Sequence, residues 1–536
     1  MSPLFIDEAG VTPSTNPPSA APTTNRNRRR RSNRCDRRRL LFPIPESRRA
    51  PGRWNFEQRG VRCKCLHISG GEAFEILLAR FIERIKMTIA ILIHALLFLA
   101  FWLTNLPYQN TLNNFLASAT GQQMNFLLIF MIFAGLVALW STARLALRRV
   151  VRRTGPAWRY FSAGIFFLVF FYGSFAILFL KNPPQLYRLG QLFQYFRLFV
   201  DAGALLLVAW GLRWWAKGDR KKKTLVSASL LIIWLIPVFC TPGNVYRGAL
   251  PEKPQLIAHR GAAALVPENT LASMQAAADL GVYGLETDIS VSKDGVLFLM
   301  HDSSLARTTD VAQVFPGREN DPAETFSWNE LSRLKVGRLI NGRAIYPGEP
   351  IPTLATMLQV VKKDNLYFIY DLRIPSAGHP YADQARDLRL EEINDAGVAN
   401  HTWLLAQPEE IGQVRATLPD ATLAAGIGYN DKPPSPAALV ADGYGIVNSV
   451  YSLSNRRIHA YQDAGLWVNL WVVDDPWLYS HFWLAGANSV TSSYVQTLAA
   501  MSHPVVAITY PVYLAIWGMV GLLAAWQYFS KKRRAG

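Results

Sequence analysis

Residues 255–301 read QLIAHRGAAALVPENTLASMQAAADLGVYGLETDISVSKDGVLFLMH, and the fold of half the chain turns on how this stretch alternates. Apolar runs at 256–259, 283–291 and 296–301 have strand length. Between the first two lies an alanine-rich segment, 268–280, with Leu271, Met274 and Ala278 as its apolar positions and Gly281 behind it as a stop. Strand, helix, strand is the unit of a parallel sheet, whose strands need a crossover rather than a tight turn. Similar short runs recur at 366–372, 402–405, 423–427, 446–451, 467–473 and 489–492. With those above they make nine candidates for the eight places of a (β/α)8 TIM barrel, so one is expected to be accessory or misread, and about 250 residues suits that fold.

The polar residues fall at the ends of these runs. His259 and Arg260 close the first, Glu286 and Asp288 lie two apart on the second, His301 and Asp302 close the third, and Asp371 and Arg373 close the fourth. The C-terminal strand ends of a barrel meet at one mouth. Three carboxylates confined there would repel one another unless a hard cation joined them, which implies Mg²⁺ or Ca²⁺. Two histidines supply a general base and a general acid near neutral pH. Arg260 and Arg373 can hold a phosphate bidentately. Taken alone, a Glu-x-Asp pair on a strand is more often a solvated edge, and a lone His-Asp dipeptide says little; the conjunction at successive strand ends points to a phosphodiester as substrate.

Outside this region, runs of about twenty apolar residues at 87–106, 125–147, 160–180, 198–216, 224–240 and 505–529 are each long enough for a ~30 Å hydrocarbon core. They divide the chain into a basic tail (1–86), five transmembrane helices (87–242), an inserted barrel (243–503), a sixth transmembrane helix (504–530) and a basic tail (531–536). The net charge of +18 does not call for nucleic acid, because Lys and Arg crowd into 144–159, 213–223 and 531–534 while the alternate loops carry few. By the positive-inside rule both termini are then cytoplasmic and the barrel is extracytoplasmic. The Arg-rich stretch 26–39 sits in a Pro/Ser/Thr/Asn-rich tail and reads as disordered. Met87 stands at the start of the first run, leaving open whether residues 1–86 belong to the natural product.

Cys35, Cys63 and Cys65 lie in that tail and Cys240 ends the fifth run, so the barrel has no cysteine and no disulfide framework. Asn400-His401-Thr402 is a glycosylation acceptor in a eukaryotic cell. Asp201, in the fourth run near Arg197, reads as a snorkelling residue rather than part of an ion path.

The barrel region resembles the glycerophosphodiester phosphodiesterase family at His259-Arg260-Gly261, Pro267-Glu268-Asn269-Thr270, Leu285-Glu286-Thr287-Asp288, Asp294-Gly295, His301-Asp302, Leu305-Ala306-Arg307-Thr308-Thr309 and Ile351-Pro352-Thr353-Leu354. The membrane layout, Asp371-Leu372-Arg373 and the segment 471–480 are similar to a multi-pass, six-transmembrane subgroup with an external catalytic domain. The resemblance implies that His259 and His301 are the acid/base pair, that Glu286 and Asp288 hold the metal, and that Asp371 stands where soluble members usually carry Glu. Arg373 replaces a usual Lys, Thr491-Ser492 a usual Thr-Asp, and Trp471 is expected to wall the cleft where relatives place an aromatic residue.

The resemblance implies metal-dependent hydrolysis of small glycerophosphodiesters, of the glycerophosphocholine or glycerophosphoinositol type, at the outer face of the plasma membrane. Phospholipase-type cleavage of lipid headgroups or glycosylphosphatidylinositol anchors is the alternative within the same class. A receptor or scaffold with an inactive barrel is disfavoured because the chemical residues are all present, and a transporter because the spans carry few polar groups. Only about fourteen residues link Cys240 to the first strand, so short tethers predict that the N-terminal face of the barrel rests on the bilayer with its mouth pointing away. Protease added to intact cells is expected to spare epitopes at both termini and to remove one placed within 303–350; loss of the N-terminal epitope contradicts this topology.

Overall fold

The computed structural model describes residues 70–106, 109–146, 183–216, 219–337, 339–340, 343–344 and 348–530. The N-terminal part is helical: α1 (Gly70–Thr104), α2 (Gln109–Thr120), α3 (Phe126–Ala146), α4 (Pro183–Tyr195), α5 (Arg197–Trp215) and α6 (Arg220–Phe239). The barrel follows, and the last helix is Tyr510–Phe529. By length and composition, four helices can cross a membrane: Phe126–Ala143 of α3, all of α5 and α6, and the last helix. Thr88–Thr104 of α1 passes the same test only together with α2, from which it is bent by 110°. The expected span at 160–180 lies outside the described residues, as do the arginine-rich tail and its cysteines. The candidate spans leave Leu207, Ile232, Leu522 and Trp526 well exposed on their outer faces. Within α5, Arg197 Nε donates to Asp201 Oδ2 at 3.1 Å, so that carboxylate has a partner on its own helix.

The barrel strands are β1 (Gln255–His259), β2 (Gly284–Val291), β3 (Leu297–Leu299), β4 (Tyr367–Leu372), β5 (Thr402–Leu405), β6 (Thr422–Ile427), β7 (Ile446–Val450), β8 (Trp467–Trp471) and β9 (Ser489–Ser492). Eight of them are parallel and close on themselves, β9 returning to β1 through the pairs Ser489↔Gln255 to Ser492↔Ala258. The ninth is the accessory one. β3 runs antiparallel to β2, with Ile289 opposite Leu299, so the 296–301 run is the return arm of a hairpin rather than a barrel strand. This matters for the site. β2 overshoots the rim, and the hairpin folds the chain back until Met300 N–H donates to Asp288 O at 3.0 Å, setting His301 at the level of Asp288.

Register places the chemistry. His259 pairs with Glu286 across β1 and β2, and Asp288 pairs with Asp371 across β2 and β4. Below this rim the barrel is closed by an aromatic cluster in which Tyr283 stacks on Tyr367 at 4.5 Å and on Trp467 at 5.8 Å. Such rings bury large apolar areas. Asn400, the glycosylation candidate, is exposed just ahead of β5.

The helical module reaches the barrel on its mouth side. α2 and α4 are too polar and short to act as spans alone, and they hydrogen-bond to loops at the C-terminal ends of β6, β7 and β8. Asn114 Nδ2 donates to the carbonyls of Tyr429 and Asp431, both at 3.0 Å. Tyr187 Oη donates to Tyr429 O at 2.9 Å and its ring stacks on that of Tyr429. Gln191 Nε2 reaches Tyr451 O at 2.9 Å, and Arg188 lies 3.7 Å from Asp475. The helical module therefore grips one side of the mouth rim. Chain tethers alone suggested contact at the floor of the barrel, whereas α2 and α4 also reach its mouth rim.

Candidate functional site

At the end of β1 the chain turns sharply: Arg260 and Gly261 both have positive φ, 57° and 79°. A Cβ on Gly261 would stand 2.7 Å from the backbone carbon of Ser273, so only glycine fits there. The left-handed conformation of Arg260 costs about 1–2 kcal/mol. It is offset by what the turn achieves, since Arg260 N–H donates to Glu286 Oε2 at 3.0 Å while the guanidinium reaches over the neighbouring strand. Arg260 Nε lies 3.1 Å from Asp288 Oδ2, and Nη1 donates to Glu268 Oε1 at 2.9 Å.

Asp288 is buried and heavily held. Besides Arg260, its Oδ1 accepts from Arg373 Nη2 at 3.0 Å, and its Oδ2 accepts from Asn269 Nδ2 at 3.1 Å. Arg373 also bridges to the more exposed Asp371 at 3.2 Å. Glu286 is in a different position. No Lys or Arg forms an ion pair with it among the described residues, and its nearest basic side-chain nitrogen is His259 Nε2 at 3.9 Å. Burial, and then the charge of Asp288, push its carboxyl well above the ordinary range.

The two histidines sit in contrasting surroundings. His259 Nδ1 is bonded to Ser493 Oγ at 2.8 Å, and burial followed by the charge of Arg260 hold its pKa down at about 4. Its ring is therefore neutral at pH 7. Ser493 is itself fixed by Asp474, which accepts from Ser493 N–H at 2.9 Å and from Ser492 Oγ at 3.1 Å. His301 Nδ1 lies 2.7 Å from Asp302 Oδ1. Hydrogen bonding from Arg307 keeps Asp302 ionised, with a pKa lowered to about 2. Arg307 also clasps Glu268 through two bonds, of 2.9 and 2.6 Å, and Glu268 returns to Arg260. One chain of alternating charge thus joins His301 to the carboxylate cluster.

Of the residues singled out in the sequence, His259, Arg260, Glu286, Asp288, Asp371 and Arg373 form one contiguous group, and His301 joins it through Asp302, Arg307 and Glu268. Trp471 stands apart. It packs edge-on against Tyr429 at 5.9 Å and donates to Asn448 O at 3.3 Å, on the side where the helical module docks. The sequence reading passed over Asn269, Glu268, Asp302, Arg307 and Ser493 as site members. Asn269 left a signal: Thr270 already caps helix α7 (Leu271–Asp279), so a second cap-forming residue directly before it was free for another task. Ser493 left none.

Among the described residues no three His, Cys, Asp or Glu stand close enough to hold a metal ion. The guanidiniums of Arg260 and Arg373 lie against the oxygens of Asp288 and Asp371 that a cation would use. The donor chemistry nonetheless fits a hard divalent ion, because all three groups offer oxygen only and Glu286 is a buried carboxyl whose ionisation a cation would restore.

Residues 259–501 match the pattern of the glycerophosphoryl diester phosphodiesterase family. Among curated proteins it is 34% identical over 324 residues to the human glycerophosphoinositol inositolphosphodiesterase GDPD2, covering 57% of this chain and 59% of that one. It is 32% identical over 345 residues to the chicken glycerophosphodiester phosphodiesterase domain-containing protein 5, covering 60% and 56%. The chain spans less than two thirds of the length of these relatives. A crystal structure of a protein from Silicibacter pomeroyi, titled as a putative glycerophosphoryl diester phosphodiesterase, aligns over 47% of this chain and 95% of that one at 21% identity, with a TM-score of 0.41.

Asn269 has φ 55°, accepts from Thr287 Oγ1 at 2.6 Å and donates to Asp288, so its side chain both buttresses the turn and aims a carboxylate. Asn269→Ala is expected to lower stability by about 1–2 kcal/mol through the left-handed backbone alone, and activity or metal affinity by roughly 10–100-fold through loss of the bond to Asp288. Asn269→Gly separates the two: it should regain stability without regaining activity. Activity restored by glycine would show that the side chain does not position Asp288.

Proposed function

We propose that the barrel hydrolyses glycerophosphodiesters, small diesters of the glycerophosphoinositol or glycerophosphocholine type, and is a phosphoric diester hydrolase. The observation that carries this is the gathering of a neutral histidine, a carboxylate-backed histidine, two guanidiniums and three carboxylates at one barrel mouth. The names of the human and chicken relatives support the same reading.

In this account Arg260 and Arg373 bind the nonbridging oxygens of the phosphate. Glu286, Asp288 and Asp371 would hold a divalent metal, Mg²⁺ or Ca²⁺, which when bound supplies positive charge to the phosphoryl oxygens. His259, neutral and with Nδ1 committed to Ser493, offers Nε2 as the base that takes a proton from the attacking oxygen. His301, with Asp302 behind its Nδ1, carries the proton that the leaving alkoxide receives as the P–O bond breaks. The pairing of one depressed and one carboxylate-supported imidazole is how a site divides base from acid.

The whole chain, in the same proposal, is a multi-pass plasma-membrane protein. It would have residues 1–86 and 531–536 in the cytoplasm, five helices within 87–242, the barrel of 243–503 outside and a sixth helix within 504–530. A second reading, release of a lipid headgroup or of a glycosylphosphatidylinositol anchor, gains support from the docking of α2 and α4 on the mouth rim. That posture removes the height barrier which a barrel standing on its floor would impose on substrates of its own bilayer.

Purified full-length protein offered glycerophosphoinositol, glycerophosphocholine and a bilayer phospholipid, with products resolved, tests both readings. Turnover of the soluble diesters supports the first, faster cleavage of the bilayer lipid replaces it with the second, and turnover of none contradicts both. His259→Ala and His301→Ala are each expected to cost about 10²–10⁴-fold in kcat with unchanged Tm; full activity in either variant removes that histidine from the mechanism.

A further inference from the structure

A cavity of about 520 Å³ lies between the end of α6 and the barrel wall, and shares no lining residue with the catalytic mouth. Among its lining residues are Gln194, Phe239, Arg247, Asn455, Arg456 and His459. Its level in the fold is set by two candidate spans. α6 begins at the basic cluster Arg220–Lys223 and ends at Phe239, on the cavity's edge, with that ring 80% exposed. Arg247 lies 3.9 Å from the ring centre of Tyr510, the first residue of the last helix. The cavity therefore sits where the helices leave the apolar layer on the side of the barrel.

Its chemistry is one-sided. The lining holds two arginines and a histidine and no Asp or Glu. Among the described residues neither Arg247 nor Arg456 has an ion-pair partner. A cationic lining without a carboxylate calls for a ligand that carries negative charge. The exposed Phe239 on the cavity's edge offers an apolar exit toward the bilayer.

We propose that this cavity binds the headgroup of an anionic phospholipid from the adjoining leaflet. Arg247 and Arg456 take the phosphate, and the acyl chains leave past Phe239 along α6. A free phosphate ion would use the arginines but not the apolar edge. Docked there, the lipid joins the end of the spanning helices to the barrel wall.

Native mass spectrometry and thermal unfolding of the full-length protein in detergent test this, with phosphatidylinositol, phosphatidylcholine and inorganic phosphate as probes. Phosphatidylinositol is expected to be retained and to raise Tm, while phosphatidylcholine and inorganic phosphate are not. Arg456→Gln should weaken retention roughly fivefold and Arg247→Gln/Arg456→Gln roughly 25-fold, each arginine contributing one near-surface charge interaction. No retention by the wild type, equal retention by the folded double variant, or stabilisation by inorganic phosphate equal to that by the lipid would overturn the proposal. Because Arg247 also packs on Tyr510, the double variant can lose stability; Arg456 is exposed and unpaired, so Arg456→Gln then decides alone, and unchanged retention in it contradicts the assignment.

Discussion

The balance of charge around Asp288 governs the architecture of the mouth. A buried carboxylate is tolerated only when paired and hydrogen-bonded, and this one is met by Arg260, Arg373 and Asn269 from three different segments. Each of those contacts fixes something else. Arg260 can reach Asp288 only from a left-handed turn, which in turn requires Gly261; Asn269 can reach it only from its own left-handed position ahead of α7. Arg373 lies two residues beyond Asp371, so it presents itself on the face of β4 that carries that carboxylate. The motif residues are thus spaced by the geometry of one ion cluster as much as by the chemistry they perform.

Glu286 is the counterpart to this balance. It receives a backbone N–H but no ion pair from Lys or Arg among the described residues, and burial with the neighbouring Asp288 drives its carboxyl toward the protonated form. In the proposed function this uncompensated carboxylate is where a divalent cation would add its charge. In the same proposal the guanidiniums on Asp288 and Asp371 would turn from the carboxylates to a phosphate.

Much of this was legible in the sequence, for reasons that differ by element. Strand runs with polar residues at their C-terminal ends gave the barrel and its mouth, because period-two patterning and barrel geometry are local rules. The 296–301 run was readable as strand but not as antiparallel, since direction depends on whether the turn at Asp294-Gly295 closes a hairpin. The contacts of Ser493 with His259 and of Arg307 with Glu268 were beyond reach, being between segments distant in sequence. The grip of the helices on the mouth rim was hidden for a similar reason: tether length is visible in a sequence, whereas Asn114 and Tyr187 bonding to the loop at Tyr429 is not.

The central claim is that Glu286, Asp288 and Asp371 form a divalent-cation site on which glycerophosphodiester hydrolysis depends. Calorimetric titration of chelator-treated protein with Ca²⁺ and Mg²⁺, run alongside hydrolysis of a soluble diester by the same samples, tests it most directly. The account predicts saturable binding of one of these ions, return of hydrolysis over the same concentration range, and binding weakened at least about tenfold in Glu286→Gln, which keeps shape and removes charge. Full hydrolysis by the stripped protein, with no ion bound, would contradict it.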